Sequence, residues 1–401
     1  MTSVTAAALC CVVLAGISVR KRKRLALMAA TIFCVATTWF GQQGSVPYLG
    51  VDKTSPASWQ FPMITLATIA ALSIVTPTPN QHRQPKNLSL LALSAAAAVG
   101  SLLMLSRFSR FGIPLIDGAQ ARFLTVASIG TKEAILSSVL IVVPTGMIFR
   151  RWNHAPLAVR ALAIANSVLV TGTASRLLIL AVLVCSIPEP TRLFGRTKIF
   201  TLKRIGVCIV AAATIGFIYN SRAESDKSGG AQTLQQRVLQ DKQLPEAKIL
   251  GTGTYISARN GAAVSTILHE SNASPPHGFV IGSLLTVVHR QTDPELFLTQ
   301  TVFGLDRNDV GSTALPLLDA APLDFGLPGS LALSLLILIA FDMAGRFFDN
   351  SSANWIAFGL AMSSYGMYLT SIQFLAILGG LLFATRAPRS QMRTPRSRID
   401  A

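Results

Sequence analysis

Charge is scarce in this chain. Only 13% of its 401 residues are charged, and acids are the scarcest, 18 Asp and Glu against 35 Lys and Arg. A soluble domain carries about a quarter charged residues, so an ordinary soluble fold is excluded. Cysteine is also rare. Cys10, Cys11, Cys34, Cys185 and Cys208 are the five present, and none has metal-ligand spacing. They offer neither a disulfide framework nor a zinc site. There is no glycine-rich P-loop, no dinucleotide-binding turn after a strand, no His/Cys/Asp/Glu cluster and no internal repeat. Nothing in the chain offers a nucleotide, a cofactor or a metal a recognisable place.

What the chain has is apolar sequence. Hydrophobic residues make up 51% and the mean hydropathy is +0.50. About eleven segments approach the roughly 17–25 residues that a bilayer span needs. They fall at 2–19, 25–40, 61–76, 88–106, 132–149, 157–174, 175–188, 204–220, 323–345, 353–369 and 371–385. The expected fold is an all-α polytopic integral membrane protein. Residues 1–220 form the first eight spans and 221–322 a large late extracytoplasmic loop with short amphipathic helices. Residues 323–385 form the last three spans and 386–401 a basic tail.

The few charges sort the two sides. Arg20–Arg24, Arg150-Arg151, Arg192–Arg204 and Arg386–Arg398 all fall on one face of this topology. Basic loops stay in the cytoplasm. That face holds 21 of the 35 Lys and Arg and 4 of the 18 Asp and Glu, which is the whole formal charge of +17. The basic balance is therefore a topology signal that calls for no nucleic acid, and it should attract anionic membrane lipid. The first apolar run has basic residues after it and none before it. It reads as an uncleaved span with its N-terminus outside, in the cytoplasmic membrane, with the C-terminal tail inside. All four tryptophans, Trp39, Trp59, Trp152 and Trp355, fall at expected span ends, where the aromatic belt lies.

Arg176 stands out. It lies in Thr171-Gly-Thr-Ala-Ser-Arg176, between two apolar runs, and no other charge lies between Arg160 and Glu189. An ionisable residue so placed is costly unless it has a partner or faces water. It holds an anion or it snorkels to a headgroup. Arg122, Arg259, Arg290 and Arg307 join it on the outer face, each in apolar or turn sequence. Arginine grips phosphate with two parallel hydrogen bonds, so such a set would suit a pyrophosphate. Each taken singly also reads as an interfacial residue. Asp319 and Asp324 lie nearby in Leu315–Gly329. Asp319 sits in an expected loop before Pro322, and Asp324 opens a span, where capping its N-terminus would account for it. The other reading is general-base or sugar-hydroxyl binding work. His269, His277 and His289 are all extracytoplasmic, and His289 adjoins Arg290 at the end of the short apolar segment Gly278–Val288. His289 could accept a proton from a sugar hydroxyl, or simply be exposed. Gly278–Val288 is too short to span and is expected in or on the membrane.

Several of these segments resemble a known family. Ile113-Pro-Leu-Ile-Asp-Gly-Ala-Gln-Ala-Arg-Phe123 resembles the segment after the fourth or fifth span of bacterial O-antigen and exopolysaccharide repeat-unit polymerases. Thr171–Arg176 resembles their Ser-Arg turn at the top of a span. His289-Arg290 is similar to their Pro-Arg, with histidine replacing proline. Thr313–Gly329 is similar to their Asp-Phe-Gly entry into a late span, with Asp319 where the family often has Glu. The resemblance covers roughly residues 107–345 and lies chiefly in the order of the motifs.

The resemblance implies a GT-C-like membrane glycosyltransferase without metal or cofactor. It would join polyprenyl-pyrophosphate-linked oligosaccharide repeats at the outer face, alongside a flippase and a chain-length regulator. Arg122, Arg176, Arg290 and Asp324, which lie in these motifs, and Arg259 and Arg307, which join them on the outer face, would bind the pyrophosphate and sugar. Asp319 or His289 would be the base. An O-antigen ligase uses the same donor with another acceptor, and its His-Asn-like motif has only His277-Gly278 as a counterpart. A transporter of lipid-linked sugars is the reading from a different class. Charge sorting predicts that an impermeant thiol reagent in intact cells labels a cysteine placed at position 241 and spares one at position 393. The reverse pattern would overturn the topology.

Overall fold

The apolar runs form helices because a backbone shielded from water must satisfy its N–H and C=O groups within its own segment. The computed structural model describes residues 2–20, 24–42, 46, 51–77, 88–117, 131–173, 175–186, 244–250, 252–285, 294–298, 315–348, 350–364, 366 and 368–385. In chain order the helices are α1 (Thr2–Arg20), α2 (Leu25–Gly41), α3 (Ala57–Val75), α4 (Leu90–Phe111), α5 (Thr131–Arg150), α6 (Leu157–Gly172) and α7 (Arg176–Ser186). They continue as α8 (Pro245–Leu250), α9 (Thr252–Ser271), α10 (Phe279–Leu285), α11 (Pro294–Phe297), α12 (Leu317–Phe347), α13 (Asn350–Met362) and α14 (Ile372–Ala384). Among the described residues there is no strand, only an isolated bridge between Val46 and Val51.

Four helices are long and apolar enough to cross a membrane: α3, α4, the Glu133–Arg150 part of α5, and α12. Helices α1, α2, α6, α7 and α14 are apolar but shorter. Their outer surfaces are greasy, with Leu9, Leu91, Leu102, Val168, Leu336 and Phe383 all exposed. Patches of that kind mark a surface that water does not cover. The arrangement is consistent with a multi-pass membrane protein. The segment expected at 204–220 lies outside the described residues. The one expected at 323–345 is part of a longer helix that begins at Leu317. The one expected at 353–369 is α13, which stops at Met362, followed by a turn and a 3-10 stretch at Tyr368–Thr370.

Two packed groups make the core. In the first, α4, α5, α6, α7 and α14 enclose Leu93, Ile141, Met147, Ala181 and Phe374. In the second, α1, α2, α3 and α12 enclose Leu27, Met28, Leu66, Ile69 and Ile337. Helix α13 joins them, with Trp355 in the first group and Leu360 in the second. Trp355 departs from the aromatic-belt expectation. It is fully buried, stacks on Phe374 and Phe358, and its indole N–H donates to the Phe374 carbonyl at 3.1 Å. With that donor satisfied inside the protein, the ring has no need of the wet interface. Buried polar groups are matched in the same way. Asn166 accepts from the Ser101 hydroxyl and donates to Thr145 and to the Ala97 carbonyl, which links α4, α5 and α6.

Contacts between helix ends follow the alternation expected from the sequence. At one end, Arg24 turns into α2 with a left-handed φ of 49° and reaches Asp342 near the end of α12. Its Nε donates to Asp342 Oδ1 at 2.7 Å, and further donors meet the carbonyls of Ser73, Thr76 and Pro77 at the end of α3. On the same expected basic face, Arg150 donates to Ser351 Oγ and Arg151 to the Leu88 carbonyl. Ends expected on the other face meet one another. Leu115 N–H donates to the Gly172 carbonyl, Leu317 N–H to the Gly366 carbonyl, and Ser55 N–H to Thr266 Oγ1.

The Arg24–Asp342 pair should be a principal fold-holding contact. Arg24→Ala leaves a half-buried carboxylate unmatched and should cost about 3–5 kcal/mol, read as a lowered thermal midpoint in detergent. Adding Asp342→Asn should recover part of that loss, because the stranded charge is gone. Purely additive losses would show that the pair does not couple.

Candidate functional site

Helix α9 is the part of the site region that sequence reading missed. The stretch after Asn220 reads as a loop because its hydropathy is low. Yet Thr252–Ser271 forms a 20-residue helix packed against α2, α3 and α12. The signal is its small residues. Ala258, Gly261, Ala262, Ala263, Ser265 and Thr266 let neighbouring backbones approach closely, as in membrane helix pairs, and the alanines, Ser265 and Thr266 are buried. Gly261 faces Pro316 so closely that a Cβ there would lie 2.6 Å from the proline ring. This contact seats the start of α12 on α9.

Asp319 sits in that seat. It lies in the first turn of α12, not in a loop before the helix, and it is 4% exposed. The Ser265 hydroxyl of α9 donates to its Oδ1 at 3.1 Å. Among the described residues no cation lies within ion-pair distance of it. Arg259 is buried one and a half turns earlier on α9, with its guanidinium 5.4 Å from the centre of the buried Tyr255 ring. Of the expected arginines, Arg259 alone has a described side chain.

Asp324 has a different duty from the one its position suggests. Helix α12 begins at Leu317, so Asp324 does not cap the start of its own helix. Instead it caps α10. Its two carboxylate oxygens accept from the backbone N–H groups of Phe279 and Val280, at 2.8 and 2.7 Å. These are orphan donors at a helix start, where an anion is stabilised. The approach depends on Gly278, whose φ is +68°. A Cβ there would lie 2.9 Å from the Asp324 carboxyl group. Just beyond, Gly326 adopts φ 63° and ψ −152°, a combination open almost only to glycine, and divides α12 into two helical stretches. The Asp-Phe-Gly sequence is thus a carboxylate clasp followed by a break.

Helix α10 is described from Phe279 to Leu285; residues 286–288 of the expected Gly278–Val288 segment lie outside the described residues. Phe279 is buried in a cluster with Val264, Leu268, Leu298, Leu315, Leu317 and Ala320. This apolar seal holds α9, α10 and the first stretch of α12 together. His269, in the last turn of α9, stacks on Phe61 at 6.0 Å, and burial pushes its imidazole below the usual value. His277 is exposed.

The remaining expected site residues are placed less fully. Arg176 begins α7, but its side chain lies outside the description. Arg122, His289, Arg290 and Arg307 lie outside the described residues. The structure does bring two of the motif segments together. Ile113–Asp117 folds into a turn in which Asp117 Oδ2 accepts from Ile113 N–H at 2.6 Å, and Leu115 N–H donates to Gly172. That turn lies against the end of α6, just before Arg176. Comparison with protein families, with curated proteins and with solved structures finds no match for this chain.

The clasp is testable. Asp324→Ala should destabilise by about 1 kcal/mol, as other lost N-caps do. Gly278→Ala should cost about 1–3 kcal/mol through its forced φ. Both should loosen the same helix, so the double variant should fall short of the summed loss in thermal unfolding. Full additivity would separate the two residues.

Proposed function

We propose that this chain is a polysaccharide polymerase of the cytoplasmic membrane. It joins polyprenyl-pyrophosphate-linked oligosaccharide repeats at the outer face. One observation carries the reading. Asp319 is a buried carboxyl bonded to the Ser265 hydroxyl, with no cation within ion-pair distance among the described residues. A carboxyl held this way serves no evident fold-holding ion pair, and perturbed, secluded carboxyls gather at functional sites. Asp324, by contrast, is occupied by the α10 backbone.

In this reading Asp319 is the general base. It takes the proton of the attacking sugar hydroxyl as that oxygen bonds to the anomeric carbon of the donor. The bond from that carbon to the pyrophosphate breaks, and the carrier pyrophosphate leaves with the electron pair. The arginines, Arg176 and Arg259 foremost, stabilise the charge that develops on the leaving group. His289 stands as the alternative base, and Asp324 orders the segment that receives the sugar. Support also comes from the motif order of the resemblance and from the meeting of its first two segments at α6.

The test is reconstitution in proteoliposomes with carrier-linked oligosaccharide alone. A ladder of longer carrier-linked products is expected. Transfer only to an added lipid or protein acceptor would make the chain a ligase, and uptake without new glycosidic bonds would make it a transporter. Asp319→Asn should abolish the ladder at normal protein level. Arg176→Ala should cost about one to two decades of rate, and Arg176→Lys should restore only part, because lysine lacks the planar fork. Normal ladders from Asp319→Asn would remove it from the chemistry.

A further inference from the structure

A further buried arginine stands apart from Arg24 and Arg259. Arg107 lies in the last turns of α4 and is 7% exposed. Its Nη1 donates to the Ser137 hydroxyl of α5 at 3.0 Å. Its Nε is buried and meets no acceptor. Among the described residues no carboxylate lies within ion-pair distance of it. Arg24, likewise deeply buried, has a carboxylate and three carbonyls.

The surroundings are polar and built from three helices. Ser137 and Ser138 are both buried, and both donate to the Ala134 carbonyl. Ser138 also accepts from the Gln373 amide of α14, at 3.4 Å. Glu133 lies one turn before Ser137 on α5. The patch stands at the end of α4 where Ile113–Asp117 and Gly172 meet, beside the start of α7 at Arg176.

A guanidinium held by one neutral hydroxyl in an apolar bundle is costly, and a matching anion removes the cost. Its planar fork fits two oxygens of a phosphate. We propose that Arg107 is an anion-binding residue of the α4–α5–α14 junction, taking a phosphate-class group. On the function proposed above, that group is the pyrophosphate of the carrier, held at the same end as Arg176. The shared chemistry admits a second source, the headgroup of an anionic membrane lipid.

The experiment measures thermal protection of the purified full chain by inorganic pyrophosphate, in nanodiscs of neutral phosphatidylcholine. Wild type should be protected. Arg107→Gln should need about tenfold more pyrophosphate or worse, and Arg107→Lys should fall between. Glu133→Gln should strengthen protection, because it removes a repelling charge beside the anion. Protection of Arg107→Gln equal to wild type overturns the inference. So does a Glu133→Gln variant that melts lower with pyrophosphate protection unchanged, since Glu133 would then be the counterion of Arg107. Nanodiscs containing phosphatidylglycerol identify the source. If they alone protect wild type, and Arg107→Gln loses that protection, the group is a lipid headgroup and the carrier assignment fails. Pyrophosphate protection that depends on Arg107, without any polymer ladder, would sink the polymerase reading and leave this site standing.

Discussion

A charge taken out of water must be met where it comes to rest, and this bundle is arranged around that constraint. Arg24 is the plainest case. Its donors collect Asp342 and the ends of α3, so that segments some 318 residues apart in the chain close on one guanidinium. The left-handed turn at Arg24 is tolerable because the same contact fixes it. Asn166 repeats the principle without charge, matching α4, α5 and α6 through one amide. Apolar packing then fills the space between, closely enough that a Cβ at Gly100 would lie 2.6 Å from the Leu140 backbone of α5.

Much of this was legible in the sequence, because bilayer-length apolar runs have few alternatives to helix. Leu90–Phe111 and Ala57–Val75 follow directly from their hydropathy. The alternation of ends was legible too, from Arg20–Arg24 and Arg150-Arg151. What hydropathy cannot report is a helix buried by close approach. Thr252–Ser271 carries Arg259, Asn260 and serines, so its average looks like loop. Its run of small residues was the available signal. Trp355 shows the opposite error, since a tryptophan near a span end looks the same in sequence whether its N–H meets water or the Phe374 carbonyl.

The site was half legible. The sequence separates Asp319, read as loop, from Asp324, read as the cap of its own span, but Asp319 lies inside α12 and Asp324 caps α10 instead. Which helix Asp324 caps depends on Gly278, 46 positions upstream, and no local pattern announces that. Helix α12 begins six residues before the apolar run suggests, because Leu317–Pro322 is buried against α9 and not against lipid. Arg107 escaped notice for a related reason. At the end of an apolar run it reads as a flanking charge, and only the facing Ser137 shows that it points inward.

The break at Gly326 also settles a question of length. A helix of 31 residues would run about 46 Å if straight, far beyond the roughly 30 Å of a hydrocarbon core. The stretch from Gly326 onward measures about 33 Å at the same rise and is close to that thickness. The preceding residues are turned aside onto α9 and α10. Replacing Gly326 with a helix-forming residue would therefore do more than strain one torsion. It would force a mismatch that the membrane must absorb by tilting or thickening around the helix, and it would lift both carboxylates off their partners in a single movement.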